Sequence, residues 1–116
     1  MSKKHTIRDE GKVTILELNG KVMGDTDDTA LFNVVYDLAD QGKVNVVIDL
    51  CNVEWMNSKG LGICISGATT FRNRGGDLKL ACVSEKVESL LSKTRMFAVF
   101  EVFQTVDEAI ASFKKI

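Results

Sequence analysis

Residues 44–62 read Val-Asn-Val-Val-Ile-Asp-Leu-Cys-Asn-Val-Glu-Trp-Met-Asn-Ser-Lys-Gly-Leu-Gly, and this segment sets the architecture of the chain. Residues 44–50 are a nearly continuous apolar run, typical of a strand covered on both faces in a mixed or parallel sheet. The polar residues that follow predict a loop, and Ser58 stands where a helix is predicted to begin. A helix start carries unpaired backbone N–H groups and positive dipole character. It therefore favours an anion, including a phosphate attached to the chain.

Strands and helices alternate on both sides of this segment. Apolar residues recur at helical spacing from Ser58 to about Arg74, where two glycines follow. The other predicted strands are about 4–9, 13–19, 78–83 and 97–103, and the other predicted helices are about 26–41, 84–94 and the segment after residues 105–108. Strands joined by crossover helices predict an α/β fold. We expect one domain, residues 1–116, with a small mixed β-sheet and packed helices in the order ββαβαβαβα.

The charge balance argues against several classes of partner. Lys and Arg number 15 and Asp and Glu 16, which gives a net charge of −1. A nucleic-acid-binding protein would normally show a basic excess, so this chain is not expected to bind nucleic acid. The apolar runs are far shorter than the ~20 residues that span a bilayer, so no membrane association is expected. The first five residues are basic but no apolar segment follows them, which predicts a cytoplasmic protein without a signal peptide.

Residues of the types that bind metals, cysteine and histidine, are few and scattered in this sequence. The chain has three cysteines, Cys51, Cys64 and Cys82, which is an odd number. None of them forms a Cys-x-x-Cys pair, and all three lie in apolar runs. They predict small buried side chains in a reducing cytoplasm. His5 is the only histidine, so neither a metal site nor a cofactor is predicted. The acidic residues at 25–28 could be a calcium loop, but they lack its glycine and distal glutamate, and helix capping is favoured.

Enzymatic chemistry around Ser58 finds little support. The Walker spacing is absent, which argues against a nucleotide-binding loop. Gly-x-Ser-x-Gly is also absent, and Lys59 adjoins Ser58 but would not face it on a helix. We therefore predict that the protein is not an enzyme. From the residues alone, an alternative remains open: Asn57 or Ser58 could simply be the N-cap of the helix.

Residues 57–62, Asn-Ser-Lys-Gly-Leu-Gly, resemble the phosphoacceptor loop of the STAS domain family, specifically that of bacterial anti-sigma-factor antagonists. The family pattern there is a strand, Asp-Ser-Ser/Thr-Gly-Leu-Gly and a helix, and the likeness in element order covers essentially the whole chain. The resemblance implies partner switching. An unmodified antagonist binds an anti-sigma factor that is also a GHKL-type serine kinase, and thereby frees a sigma factor. Phosphorylation, here of Ser58, ends that binding, and a PP2C-type phosphatase resets it.

The chain departs from the family pattern at three places. Asn57 replaces the usual Asp and Lys59 replaces the usual Ser or Thr, so each change shifts the loop by about one charge unit. The Asp that often follows the second strand is replaced by Met23, with Asp25 two residues later. The partner-binding residues implied by the resemblance are Met23, Gly24, Asp25, Met56, Asn57, Ser58, Lys59, Gly60 and Leu61.

Two further alternatives concern the loop and its role. Trp55 is expected in the core because large aromatic side chains dominate buried area, whereas Met56 is either core or an adaptable exposed contact. The alternative function is a STAS scaffold subunit of a signalling or lipid-transport complex, in which Ser58 is not phosphorylated and only caps a helix.

Overall fold

The computed structural model describes residues 5–22, 29–95 and 98–114. Its strands are β1 (His5–Glu10), β2 (Val13–Val22), β3 (Asn45–Met56), β4 (Asp77–Ala81) and β5 (Val102–Phe103). Its helices are α1 (Thr29–Asp40), α2 (Ser58–Asn73), α3 (Glu85–Thr94) and α4 (Val106–Lys114). The order ββαβαβαβα confirms the prediction, although β5 is shorter than the strand expected over 97–103.

The five strands form one mixed sheet in the order β1-β2-β3-β4-β5. β1 is antiparallel to β2, and the remaining neighbours are parallel. Parallel pairs need crossover connections, which α1, α2 and α3 supply. The α/β fold class with a small mixed sheet is therefore confirmed.

The sheet is covered on both faces. Alternate residues of a strand point to opposite faces, so Leu16 and Ile48 face one side while Ile15 and Val47 face the other. The larger apolar cluster joins sheet residues to the apolar sides of α1, α2 and α3, including Leu38, Phe71 and Leu91. The smaller cluster joins Val13, Ile15, Val47 and Ala81 to Ala109 of α4. This double coverage explains the continuous apolar run in β3.

β3 is longer than predicted, and most of the expected polar loop is strand. Pairing with β2 continues from Asn19–Asn52 to Val22–Met56, so only Asn57 separates β3 from α2. The register with β2 shifts twice, and each shift gives β3 one extra residue, first between Asp49 and Asn52 and then between Val53 and Trp55. Extra residues of this kind are β-bulges, which bend a strand and re-aim its side chains.

The bulges explain a wrong prediction. Trp55 was expected in the core, but its relative exposure is 43%, whereas Met56 is 1% exposed and lies in the larger apolar cluster. The extra residue before Trp55 breaks the regular alternation, so Val53 and Met56 point inward and the two residues between them do not.

Local signals place several helix ends correctly. Ser84 Oγ accepts a hydrogen bond from Val87 N at 3.3 Å, and Thr105 Oγ1 accepts one from Glu108 N at 3.1 Å. Gly42, with φ +80°, follows the end of α1 as expected for a helix stop. Residues 25–28, Asp-Thr-Asp-Asp, for which capping was predicted, lie outside the described residues. Within the described ranges, no helix is both long and apolar enough to cross a membrane.

Candidate functional site

The junction between β3 and α2 is held by Asn57. Its backbone N–H donates to the carbonyl oxygen of Val22, at 3.1 Å, and its own carbonyl oxygen accepts from Leu61 N at 3.0 Å. Its side-chain Oδ1 accepts from Gly60 N at 2.8 Å, in the extended conformation of an N-cap residue. Of the two cap candidates in the sequence, the structure therefore selects Asn57.

Ser58 is the first residue of α2 and its side chain is exposed. Because Asn57 supplies the cap, the Ser58 hydroxyl has no hydrogen-bond partner among the described residues. The backbone N–H groups of Ser58 and Lys59 precede the first intrahelical bond and have no acceptor in that same part of the chain. Among the described residues, the site thus presents an unpaired hydroxyl beside two unpaired backbone donors.

The charge of the first turn of α2 favours an anion. The first turn of α2 contains no acidic residue, and Lys59 is exposed next to Ser58 in the chain. The positive end of the helix dipole adds to this, and such an end stabilises a nearby negative group by about 0.3–1 kcal/mol. With Asn57 neutral in place of an aspartate, nothing in this turn opposes an added negative charge.

The start of α2 packs closely against the end of β2. A Cβ added to Gly60 would lie 2.4 Å from the carbonyl oxygen of Val22, so a glycine is needed for this approach. A Cβ added to Gly62 would meet nothing within 4 Å, and Gly62 is exposed. The two glycines of the Gly-Leu-Gly motif therefore have different roles: Gly60 allows contact with β2, and Gly62 leaves the outer surface of α2 open.

The structure divides the predicted partner-binding residues into three groups. Ser58 and Lys59 are exposed and Asn57 is half-buried, so these side chains are accessible at the surface. Met56, Gly60 and Leu61 are buried, so packing rather than partner contact is the role that their positions support. Met23, Gly24 and Asp25 lie outside the described residues, and their contact with a partner stays a prediction.

Exposed aromatic residues are a feature that the sequence analysis missed. Trp55 is 43% exposed three residues before Ser58. Phe32 on α1 is 46% exposed and stacks on Tyr36, with ring centroids 4.6 Å apart. Tyr36 shares a hydrogen bond with Ser66 of α2, which, with a further bond to Thr70, lowers the pKa of the phenol. The apolar periodicity of the sequence predicted helix α1, but it did not reveal that Phe32 forms an exposed aromatic contact with Tyr36.

The cysteine prediction is correct for Cys64 and wrong for the other two. Cys64 is fully buried, and burial raises the pKa of its thiol to about 12. Cys51 and Cys82 instead form a disulfide, with their Cα atoms 4.9 Å apart. The carboxylate of Asp49 lies within 4.8 Å of both sulfurs, but sulfurs bonded to each other are not available as metal ligands. The two cysteines are 31 residues apart in the sequence, so no local sequence pattern reveals that they are close in space.

These features define a class: a single α/β domain that presents an exposed serine at the capped start of a helix. The chain belongs to the STAS domain family, whose model matches residues 4–109. The anti-sigma F factor antagonist of Paenibacillus polymyxa is 22% identical over 102 residues, which cover 88% of this chain and 87% of that one.

Solved structures share the fold. An anti-sigma factor antagonist from Mycobacterium paratuberculosis superposes with a TM-score of 0.85 at 20% identity, covering 96% of this chain and 93% of that one. The anti-sigma factor antagonist SpoIIAA, unphosphorylated, gives a TM-score of 0.74 at 16% identity, with 97% and 99% covered. The Bacillus cell fate determinant SpoIIAA in its phosphorylated form gives 0.72 at 14% identity, with 93% and 97% covered.

Proposed function

We propose that this protein is a cytoplasmic anti-sigma-factor antagonist, regulated by phosphorylation of Ser58. Unphosphorylated, it binds an anti-sigma factor that is also a GHKL-type serine kinase and so frees a sigma factor for transcription. A PP2C-type phosphatase removes the phosphate. The observation that carries the proposal is the exposed hydroxyl of Ser58, which bonds to no described residue, at a helix start capped by its neighbour Asn57. Family membership and the names of the relatives support it.

The position of Ser58 suits a switch that leaves the fold intact. A phosphoserine carries about −1.5 to −2 charges at neutral pH and three acceptor oxygens. The free N–H groups of Ser58 and Lys59 and the Lys59 ammonium are donors that match such a group. The cap, made by Asn57 and Gly60, does not use the Ser58 hydroxyl and need not break when it is modified.

Release of the partner follows from desolvation. In the unmodified protein the first turn of α2 carries no acidic side chain, and the position of Gly62 on its outer surface is open. A partner that packs here excludes water from the serine. A strongly hydrated dianion at the same place would have to lose its hydration on binding, and that cost weakens the complex.

Trp55 extends the proposed binding surface. Large exposed aromatic residues are enriched among the residues that carry most of the binding energy at protein interfaces. Trp55 is exposed in the same strand that leads into Asn57 and Ser58, and it pairs with the exposed Lys21 of β2. We therefore add Trp55 to the predicted contacts Asn57, Ser58 and Lys59, and we expect no catalytic activity from this surface.

Intact mass after incubation with the candidate GHKL-type kinase and ATP tests the phosphorylation site. Wild type should gain one phosphate and Ser58→Ala none. Ser89→Ala is the matched control, since Ser89 is also an exposed helical serine, on α3, and this variant should be labelled like wild type. Undiminished labelling of Ser58→Ala would contradict the assignment. It would then favour the scaffold alternative or another acceptor, such as Ser66, Thr69 or Thr70.

Calorimetry with the same kinase tests the switch. Ser58→Ala should bind persistently in the presence of ATP, whereas wild type is released. Ser58→Asp should bind more weakly than wild type, but only partly mimics the phosphate because it carries about one charge rather than −1.5 to −2. Binding of Ser58→Asp as tight as that of wild type would refute electrostatic exclusion at this surface.

A further inference from the structure

The disulfide between Cys51 and Cys82 lies where β4 leaves β3. The last paired residues of these strands are Asp49 and Ala81, and the two cysteines follow them within two positions. Beyond this point β3 continues to Met56 with β2 as its neighbour. The bond therefore joins the extension of β3 beyond its pairing with β4, which leads to Ser58, to the segment between β4 and α3.

Regular strand geometry would keep these two sulfurs apart. If the register of β3 and β4 simply continued, Cys82 would oppose Leu50 and Cys51 would oppose Val83, so the two thiols would project from opposite faces. The structure departs from this continuation at two places beside the cysteines: β3 has a bulge against β2 between Asp49 and Asn52, and Cys82 adopts a left-handed conformation, with φ 60°.

The left-handed conformation of Cys82 is held by the fold itself. Cys82 N donates to the carbonyl oxygen of Phe103 at 2.9 Å, which ties this residue to β5. A non-glycine residue with positive φ is uncommon and costs free energy, and such residues cluster where a particular side-chain position has a use. Here the conformation places a thiol-bearing residue with its Cα 4.9 Å from that of Cys51.

Small molecules can reach both sulfur-bearing residues. Cys51 is exposed. Cys82 is half-buried and lines an open cavity of about 610 Å³ together with Val83, Phe100 and Phe103. Cys64 differs on both counts, because it is fully buried and its thiol pKa is raised to about 12, so little reactive thiolate forms at neutral pH.

We propose that Cys51 and Cys82 are a reversible thiol–disulfide modification site that exchanges with low-molecular-weight disulfides of the glutathione type. Cys51, the exposed thiol, attacks glutathione disulfide as its thiolate, forms a mixed disulfide and releases one glutathione. Cys82 then attacks the Cys51 sulfur and releases the second. Two protein thiols are oxidised, one glutathione disulfide is reduced, and the two thiol protons end on the two glutathione molecules. Excess glutathione reverses both steps. The proposal does not depend on phosphorylation of Ser58.

Thiol counting on the full chain tests the proposal. The protein is reduced with dithiothreitol, desalted, equilibrated with glutathione and glutathione disulfide at varied ratios, then denatured in acid, alkylated and weighed. All 3 cysteines should be alkylated in the reduced protein, and Cys64 alone in the oxidised protein. The fraction oxidised should follow the glutathione ratio and return on adding glutathione.

Three variants assign the roles. Cys82→Ser should trap glutathione on Cys51, Cys51→Ser should form no internal bond, and Cys64→Ala should titrate like wild type. The wild-type titration stands alone if a variant does not fold. Three alkylated cysteines after treatment with excess glutathione disulfide would overturn the proposal. So would a Cys51–Cys82 bond that resists excess dithiothreitol in the folded protein, because it would then be a permanent cross-link.

Discussion

Asn57 and Ser58 are adjacent in the chain, yet of their two side chains only that of Asn57 bonds to the first turn of α2. The cap satisfies a backbone donor that would otherwise be unpaired, and it leaves the serine hydroxyl available. The residue that positions the site and the residue proposed for modification are therefore different, and substitutions should separate them.

The first prediction contrasts these neighbours. Asn57→Ala should lower the free energy of unfolding by about 1 kcal/mol, since it removes the N-cap bond to Gly60. Ser58→Ala should change it by no more than about 0.5 kcal/mol, because the hydroxyl bonds to no described residue. Urea denaturation of both variants beside wild type measures the difference. An equal or larger loss for Ser58→Ala would mean that Ser58 contributes to the cap.

The second prediction contrasts Gly60 and Gly62. Gly60→Ala should destabilise the domain by about 1–3 kcal/mol, because the new Cβ would meet the carbonyl oxygen of Val22 and force a backbone shift. Gly62→Ala has open space and should stabilise α2 by up to about 1 kcal/mol through helix propensity. Denaturant melts of the pair decide this, and similar losses for both would show that α2 does not approach β2 as described.

At the level of whole elements, α2 is anchored near both of its ends. Its start contacts Val22 through Asn57 and Gly60. Near its end, Arg72 forms an ion pair with Asp77 at 2.7 Å. Between these points Leu61, Cys64, Ala68 and Phe71 are buried against the sheet. An element held in this way should tolerate an added surface charge without loss of structure.

The third prediction tests that tolerance by thermal melting at low ionic strength, where surface charges are least screened. Phosphorylated wild type should melt at or slightly above the unmodified protein, because the helix dipole favours the phosphate by about 0.3–1 kcal/mol. Lys59→Glu should remove part of this gain by placing a like charge beside it. Ser58→Ala treated with the kinase is the control and should not shift. A large fall for phosphorylated wild type would indicate that the start of α2 melts instead.

At the scale of the whole molecule, the Cys51–Cys82 bond closes a loop that contains the second half of β3, α2 and β4. Such a cross-link stabilises a fold chiefly by restricting the unfolded chain, and the restriction grows slowly with loop length. This loop holds the proposed phosphorylation site, so its oxidation state bears on the stability of the element that carries Ser58.

The fourth prediction follows from the size of that loop. For a separation of 31 residues the chain-entropy estimate is about 3–4 kcal/mol, so reduction should lower the melting temperature by on the order of 10 °C. Calorimetry of the oxidised and reduced protein measures this shift. Cys51→Ser, which has no bond to lose, should melt at the same temperature with and without reductant. An unchanged melting temperature for wild type would show that the bond does not constrain the unfolded chain.

The sequence by itself determined the order of elements, the start of α2, the caps at Ser84 and Thr105 and the position of Ser58. These features depend on apolar periodicity and on side-chain bonds that reach only a few residues along the chain. It also narrowed the cap of α2 to two neighbours, between which the pattern of hydrogen bonds then selected Asn57.

Only the tertiary structure decided the features that depend on contacts between distant residues. β3 extends to Met56 because β2 lies beside it, and the resulting bulges turn Trp55 outward. Gly60 is required because the Val22 carbonyl lies against it. Cys51 meets Cys82 where the pairing of β3 with β4 ends, next to a left-handed residue that local sequence patterns do not reveal. Sequence periodicity describes one element at a time, whereas each of these outcomes is set by where a second element lies.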